Sequence, residues 1–415
     1  MLELLATRRR MLLGLAAVLA AGALGIWGCA DHPTDYENPN DTIVTTKTPT
    51  ALIDAATLAG WIDEGRLNST DPDSRDKVVV IAVATAANYG TGHIPGSQLW
   101  NWSTEVYQTR LEGVAAAGTM VLTGPAIDAL LQRSGIDEHT TVIFTTSTGD
   151  DMNKATRGWW TLRYWGFPKE RIKVLQGGDV GWTTAGYTLT PDVPTITPSD
   201  FSVRDLAAYS TFGGNYRASI SEAIRAVDAI NSGATPDVKW LDVRGGLAVD
   251  AARIQPAQLD AWNAYYVVGT TATFQPVEDM VTHLAAFGVT EATPLTYVNC
   301  QGGVKCTVPF FILDGILGWP VQSYNGSWGQ WSAYSATTIA AAWKVDVVSP
   351  GTTTTRTFGT WTAGSPVIDP VSNAAFGIAD TRANQIENED AAYFSSGVTT
   401  PTTGGGSGGG GGSGC

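Results

Sequence analysis

Uninterrupted apolar runs mark the first strands of this chain. Residues 77–83 (Lys77 through Val83, with Val78, Val79, Val80, Ile81 and Ala82 between) and residues 140–145 are of strand length without alternation. A parallel strand buried on both faces reads this way. Residues 172–175 predict a third such strand. Between the last two, residues 154–166 place Trp159, Trp160, Leu162 and Trp165 at helical spacing. That aromatic stripe is expected to be core rather than a cofactor box. Strand, helix, strand over so short a stretch is a βαβ unit, so the class is α/β. A similar pattern returns further on, with strands over 238–243 and 295–299. Its helices are expected over 219–231, 277–287 and from near Thr307. Two similar-sized units of one class look like an internal duplication, each unit a parallel sheet flanked by helices.

The remaining segments set the boundaries. Residues 191–200 hold Pro191, Pro194 and Pro198 and read as a linker between domains at 51–190 and 201–335. Residues 336–395 form a partly irregular extension, with a hairpin pairing 343–348 with 356–361 and a helix capped by Asp380 and running through Phe394. Residues 396–415 are a flexible Gly/Thr-rich tail ending in Cys415. At the other end, Arg8, Arg9 and Arg10 precede an apolar run over 11–26 and then Ile26-Trp27-Gly28-Cys29. That run is short for a membrane span, and it resembles a bacterial lipoprotein signal in which Cys29 is lipidated. Residues 1–28 are then a signal peptide and residues 29–50 a polar spacer. The protein is expected to be exported and lipid-anchored in the cell envelope, at the outer membrane or cell surface.

Charge narrows the functional classes. The chain carries 25 basic and 39 acidic residues, and only 15% of its residues are charged. Removing residues 1–28 takes three arginines and one glutamate and leaves a net charge of −16. Such a surface repels phosphate backbones, which argues against nucleic-acid binding. Four cysteines in an exported chain of 415 residues are no disulfide framework. His32, His93, His139 and His283 are scattered, and no His/Cys spacing suggests a metal site.

The chemistry concentrates after the strand at 295–299. The loop there is Cys300-Gln301-Gly302-Gly303-Val304-Lys305, followed by Cys306 and a helix supported by Pro309 in its first turn. A cysteine at the carboxyl end of a parallel strand lies where α/β folds bind ligands. Gly302 and Gly303 let successive N–H groups converge on one point, and the helix start and Lys305 add positive potential. Such surroundings lower a thiol pKa and make a nucleophile. The corresponding loop of the first unit, Thr145 to Asp151, has no thiol and ends in two carboxylates. Two readings of Cys306 stay open: a small core residue opening the helix, or a resolving thiol that traps Cys300 as a disulfide. Asp242 and Arg244 read first as a structural ion pair under the loop. Cys415, on its glycine-rich tether, could take sulfur from Cys300, bridge to another protein, or be an unselected end.

Several motifs in order resemble the rhodanese (sulfurtransferase) family over roughly residues 50–335. In the first unit these are Gly92-His93-Ile94-Pro95-Gly96-Ser97, Arg157-Gly158-Trp159-Trp160 and Val174-Leu175-Gln176-Gly177-Gly178. In the second they are Trp240-Leu241-Asp242-Val243-Arg244 and Tyr324-Asn325-Gly326-Ser327-Trp328-Gly329-Gln330-Trp331. The resemblance implies two tandem rhodanese-like domains, the first degenerate and the second active. It implies sulfur transfer through a persulfide on Cys300, with Gln301, Gly302, Gly303, Val304, Lys305 and Arg244 binding substrate and no cofactor. Partners would be a small anionic sulfur donor (thiosulfate-like, mercaptopyruvate or polysulfide), a thiol or cyanide-like acceptor, and the membrane through the lipid. Where tandem members carry a further substrate-binding arginine this chain has Ala248, with Arg253 nearby. The alternative is a non-catalytic or redox-accessory surface lipoprotein. Its scaffold and C-terminal tail would dock a protein partner in an electron-transfer or metalloid-reduction assembly.

Overall fold

The computed structural model describes residues 50–71, 76–112, 115–208, 210, 212–231, 233–245, 253–254, 256–270, 272–335, 347–348, 374–375, 378–379 and 385–397. Residues 1–49, with Cys29, and most of residues 336–415, with Cys415, lie outside them.

The first half builds a five-stranded sheet. Its strands are β1 (Leu52–Ile53), β2 (Val78–Ala84), β3 (Gln98–Asn101), then, past an antiparallel hairpin of β4 (Gln108–Glu112) and β5 (Ala115–Met120), β6 (Thr141–Thr145) and β7 (Ile172–Leu175). The sheet order is β1-β7-β6-β2-β3, every pair parallel. All seven residues of β2 and all five of β6 are buried, as continuous apolar runs require. Helices α1 (Ala55–Asp63), α2 (Ala86–Thr91), α3 (Gly124–Arg133), α4 (Asn153–Tyr164) and α5 (Gly178–Thr184) fill the crossovers. Asp54 caps α1 by accepting from the Thr57 N–H at 2.7 Å, and Thr85 caps α2 through Asn88.

The second half repeats this arrangement. Its strands are β8 (Arg217–Ala218), β9 (Lys239–Asp242), β10 (Arg253–Ile254), β11 (Gln258–Leu259), β12 (Thr296–Asn299) and β13 (Val321–Tyr324). The main sheet runs β11-β9-β12-β13-β8, again wholly parallel. Counted within each sheet, both follow the same order of first, fifth, fourth, second and third strand. Helices α6 (Ile220–Asn231) and α7 (Val277–Ala285) precede α8 (Thr307–Phe310), and α9 (Ser327–Ser335) follows β13. The α/β class with two parallel sheets flanked by helices is therefore what the apolar runs foretold.

Three expectations need adjustment. The helix from Thr307 is a single α-turn that widens into a π-helix over Phe311–Leu317. Its packing is aromatic and tight: a Cβ on Gly315 would lie 3.0 Å from the Phe311 ring and 3.1 Å from Trp159. The Val347–Val348 segment pairs antiparallel with β10, and the other arm of the expected hairpin, 356–361, lies outside the described residues. The C-terminal helix, α10 (Gln385–Ser395), is described from Gln385 onward.

The halves share one continuous core. Val79, Phe144, Trp159 and Trp160 from the first belong to the same buried cluster as Val298, Cys300, Cys306, Phe310 and Phe311 from the second. Trp159 meets Phe311 edge to face at 5.1 Å between ring centroids. Trp159, Trp160 and Trp165 are fully buried, so the stripe is core. Residues 191–200 have no regular structure, yet Ser199 is tied to Gln132 and Ile136 of the first half. The α10 helix closes over both halves: Asp390 pairs with Arg110 at 2.7 Å and accepts from Tyr164, while Arg217 pairs with Glu112 and Glu387. Among the described residues no helix is long and apolar enough to cross a membrane.

Candidate active site

Cys300 follows β12 at the carboxyl end of the second sheet, and its side chain is buried. The chain then turns back on itself. Gly303, at φ 83°, points its N–H at the Cys300 Sγ, 3.2 Å away. Only glycine fits that position, because a Cβ would strike the carbonyl oxygen and side-chain amide of Asn325. At Gly302 a Cβ would approach the Thr119 hydroxyl to 2.8 Å. Both glycines thus do what the sequence required of them.

The loop is pinned at its base. The N–H groups of Trp328 and Gly329 donate to the carbonyls of Cys300 and Gln301 at 3.0 and 2.8 Å. The Cys300 N–H donates to the Ser327 hydroxyl at 3.1 Å, which in turn donates to the Tyr324 carbonyl at 2.9 Å. Ser327 holds a left-handed conformation, φ 53°, normally left to glycine. Such a strained serine beside Cys300 is tolerated because its hydroxyl closes the loop.

Electrostatics around the sulfur favour its anion. Burial by itself pushes the Cys300 thiol up. The Cys306 thiol and the backbone N–H groups of Cys306, Gly302 and Gly303 more than offset this and bring it down to about 6. Cys306 moves the other way: burial and its hydrogen bond to Cys300 raise it well above the ordinary thiol range. It also lies 3.4 Å from the Ser323 hydroxyl. Within the pair, ionisation is favoured at Cys300 and the proton is favoured on Cys306, and neither cysteine is in a disulfide.

The other candidate residues take separate places. Lys305 lies over the Trp262 ring, 4.9 Å from its centroid, a cation–π contact that holds its charge on that ring. Arg244 is clasped by Asp242 at 2.8 to 3.1 Å and stacked against Trp328, which is the expected ion pair. Gln301 is exposed, Val304 half-buried. Ala248 lies outside the described residues, and Arg253 sits in β10. His93 bonds the Tyr89 and Asp192 carbonyls within its own turn. The described residues hold no cluster of His, Cys, Asp and Glu suited to a metal.

Sequence reasoning overlooked the contribution of the first half. The β4–β5 hairpin reaches across, and the Thr119 hydroxyl donates to the Gly302 carbonyl. Val121 N–H donates to the Asn325 side chain at 3.0 Å, and Arg157 donates to the Gly303 carbonyl at 2.6 Å. The hairpin's stretch is rich in Ala and Gly, so no apolar pattern announced it.

The profile of the rhodanese-like domain matches residues 70–185. Those residues form a rhodanese-like domain. The chain is similar to the sulfur carrier protein TtuD of Thermus thermophilus, with 27% identity over 61% of this chain and 86% of the relative. It is also similar to a probable 3-mercaptopyruvate sulfurtransferase of Pseudomonas aeruginosa, with 25% identity over 59% of this chain and 82% of that one. Among solved structures, the 3-mercaptopyruvate sulfotransferase SseA from Escherichia coli aligns with a TM-score of 0.52 at 20% identity, covering 67% of this chain and 99% of that chain. EanB, solved with ergothioneine, aligns with a TM-score of 0.53 at 20% identity over 68% of each chain. These two likenesses establish the rhodanese fold. The profile covers a stretch without a thiol, while Cys300 and Cys306 lie in the other half.

Proposed function

We propose that this rhodanese-like chain is a sulfurtransferase that carries sulfane sulfur as a persulfide on Cys300. The observation that carries the reading is the Cys300 Sγ facing the Gly303 N–H at 3.2 Å, with its pKa lowered to about 6. The thiolate attacks the outer sulfur of a small donor, forming an S–S bond at Cys300. The donor's bond to that sulfur breaks, and its electron pair leaves with sulfite, the pyruvate enolate or a shortened polysulfide. An acceptor thiolate or cyanide then attacks the outer sulfur, and the Cys300 thiolate is the leaving group. The converging N–H groups stabilise negative charge at both stages, on thiolate and persulfide alike. No organic cofactor is needed for either step.

The curated relatives, named as sulfurtransferases and a sulfur carrier, support the reading. Donor choice among thiosulfate, mercaptopyruvate and polysulfide is part of the proposal. So are the two-domain layout and the lipid-anchored location through Cys29, which rests on the basic and apolar N-terminal run. Mass measurement of the Cys300 peptide after exposure to each donor tests it. A gain of one sulfur atom, removed by cyanide or a thiol, is expected. A full chain that takes no sulfur from any of the three ends the enzyme reading.

A further inference from the structure

Arg157 stands in α4 of the half that has no thiol, yet it is bound into the loop that has one. Its side chain is fully buried. One guanidinium nitrogen donates to the Gly303 carbonyl at 2.6 Å and the other to the Thr119 carbonyl at 3.0 Å. The same Gly303 supplies the N–H that meets the Cys300 sulfur. The guanidinium also stacks on Trp160, 4.7 Å from the ring centroid, and its Nε has no partner among the described residues. One residue earlier on the same helix, the Thr156 hydroxyl meets that of Thr307 at 2.9 Å, where α8 begins. The two helices are thus stitched together beside the loop.

Among the described residues no carboxylate pairs with this cation. Burial brings its pKa down to about 10, against the pull of Cys306 and Cys300, which favours its charge. Coupling between two sites is reciprocal. Within the Cys300–Cys306 pair the guanidinium in turn draws Cys306 down, so its charge favours the pair's thiolate form. The other charged groups nearby are committed elsewhere: Arg217 to Glu112 and Glu387, Arg244 to Asp242, and Lys305 to the Trp262 ring. Tyr107 adds only a weaker influence on Arg157.

Resting on the reading of Cys300 as nucleophile, we propose that Arg157 is a positioning residue for it. It fixes Gly303 so that its N–H faces the sulfur, and supplies the buried positive charge that keeps the sulfur ionised. The first half, inert by itself, thereby completes the site of the second.

The test is the pH dependence of iodoacetamide alkylation of Cys300 in the full chain, followed on its own peptide by mass spectrometry. Arg157→Gln should raise the apparent thiol pKa by about one unit or more, slowing alkylation about fivefold near pH 6 and about tenfold well below it. Arg157→Lys, which keeps the charge but not the two-pronged geometry, should fall between that variant and the native chain. A Gln variant with native circular dichroism and an unmoved thiol pKa overturns the proposal. Should that variant not fold, the native chain decides: its Cys300 pKa should change by less than about 0.2 unit between roughly 50 and 500 mM salt, because a buried charge escapes screening. A larger rise would assign the field to exposed groups and likewise overturn it. Alkylation needs no sulfur donor, so a native chain that forms no persulfide would refute the proposed function and leave this readout intact.

Discussion

The loops after β6 and β12 occupy equivalent places, each following the fourth strand of its sheet. Their backbones agree closely. The N–H of Asp179 donates to the Thr146 carbonyl at 3.0 Å, and that of Trp328 to the Cys300 carbonyl at 3.0 Å. Gly178, at φ 57°, takes the place that Ser327 takes at φ 53°. The chemistry diverges completely. In the second loop the Gly303 N–H meets the Cys300 sulfur, and the Cys306 thiol with the N–H groups of Cys306, Gly302 and Gly303 brings its pKa down to about 6. In the first, Thr146 donates its hydroxyl back to Val83, and the buried carboxyl of Asp179 stands nearby. Burial, aided by the charge of Asp150 and opposed by the Thr145 hydroxyl, raises Asp179 to about 7. One fold supports both arrangements, because strand order places a loop and a few side chains decide its potential. The carboxylates of the first loop disfavour an anion there, and its half contacts the other loop through Arg157 and Thr119.

Moving the thiol from one loop to the other asks most of this contrast. Cys300→Ser should lower sulfur transfer at least about a thousandfold. Adding Thr146→Cys to that variant should restore none of it, since Asp150 and Asp179 disfavour a thiolate there. Steady-state rates with thiosulfate, mercaptopyruvate and polysulfide check both, and recovered transfer would show that the loops differ only in the thiol. Gly303→Ala adds a Cβ where Asn325 already stands, at a positive φ. Displacing one N–H should cost about a hundredfold in kcat/KM, measured beside a melting curve that reports folding separately.

Acid should silence the second loop. The Cys300 pKa is lowered to about 6, so its thiolate predominates above that pH and falls tenfold per unit below it. A kcat/KM profile flat from about pH 7 to 8 and declining below about 6 is expected, and a decline centred near 8 or 9 would contradict the cradle. The smallest effect belongs to the first loop. Asp179 has a raised pKa, so its contribution to stability is present in acid and is lost as pH rises through about 7. Asp179→Asn should therefore gain on the native chain by roughly 5 °C in Tm between about pH 5.5 and 8. An unchanged difference between the two pH values would mean that Asp179 is already ionised in acid.

Much of this was legible in the residues. The runs at 77–83 and 140–145 became β2 and β6 within a residue or two, because burial on both faces leaves an uninterrupted apolar signature. The cysteine, its two glycines and the strand before them named the loop, since only glycine tolerates the turn Gly303 makes. Other features left no local trace. Lys305 is adjacent in sequence, yet its charge went to Trp262, an aromatic ring forty residues earlier. The π-helix after Phe310 arises from packing against Trp159 of the other half.

Local composition and periodicity thus determined the α/β class, the main strands and the glycine loop that carries Cys300, since these depend on residues close together along the chain. Tertiary structure alone decided which cation binds the loop around that sulfur and which half supplies it. Arg157 and Cys300 are separated by more than a hundred residues, and the potential at a buried atom depends on distance in space and on exclusion of water.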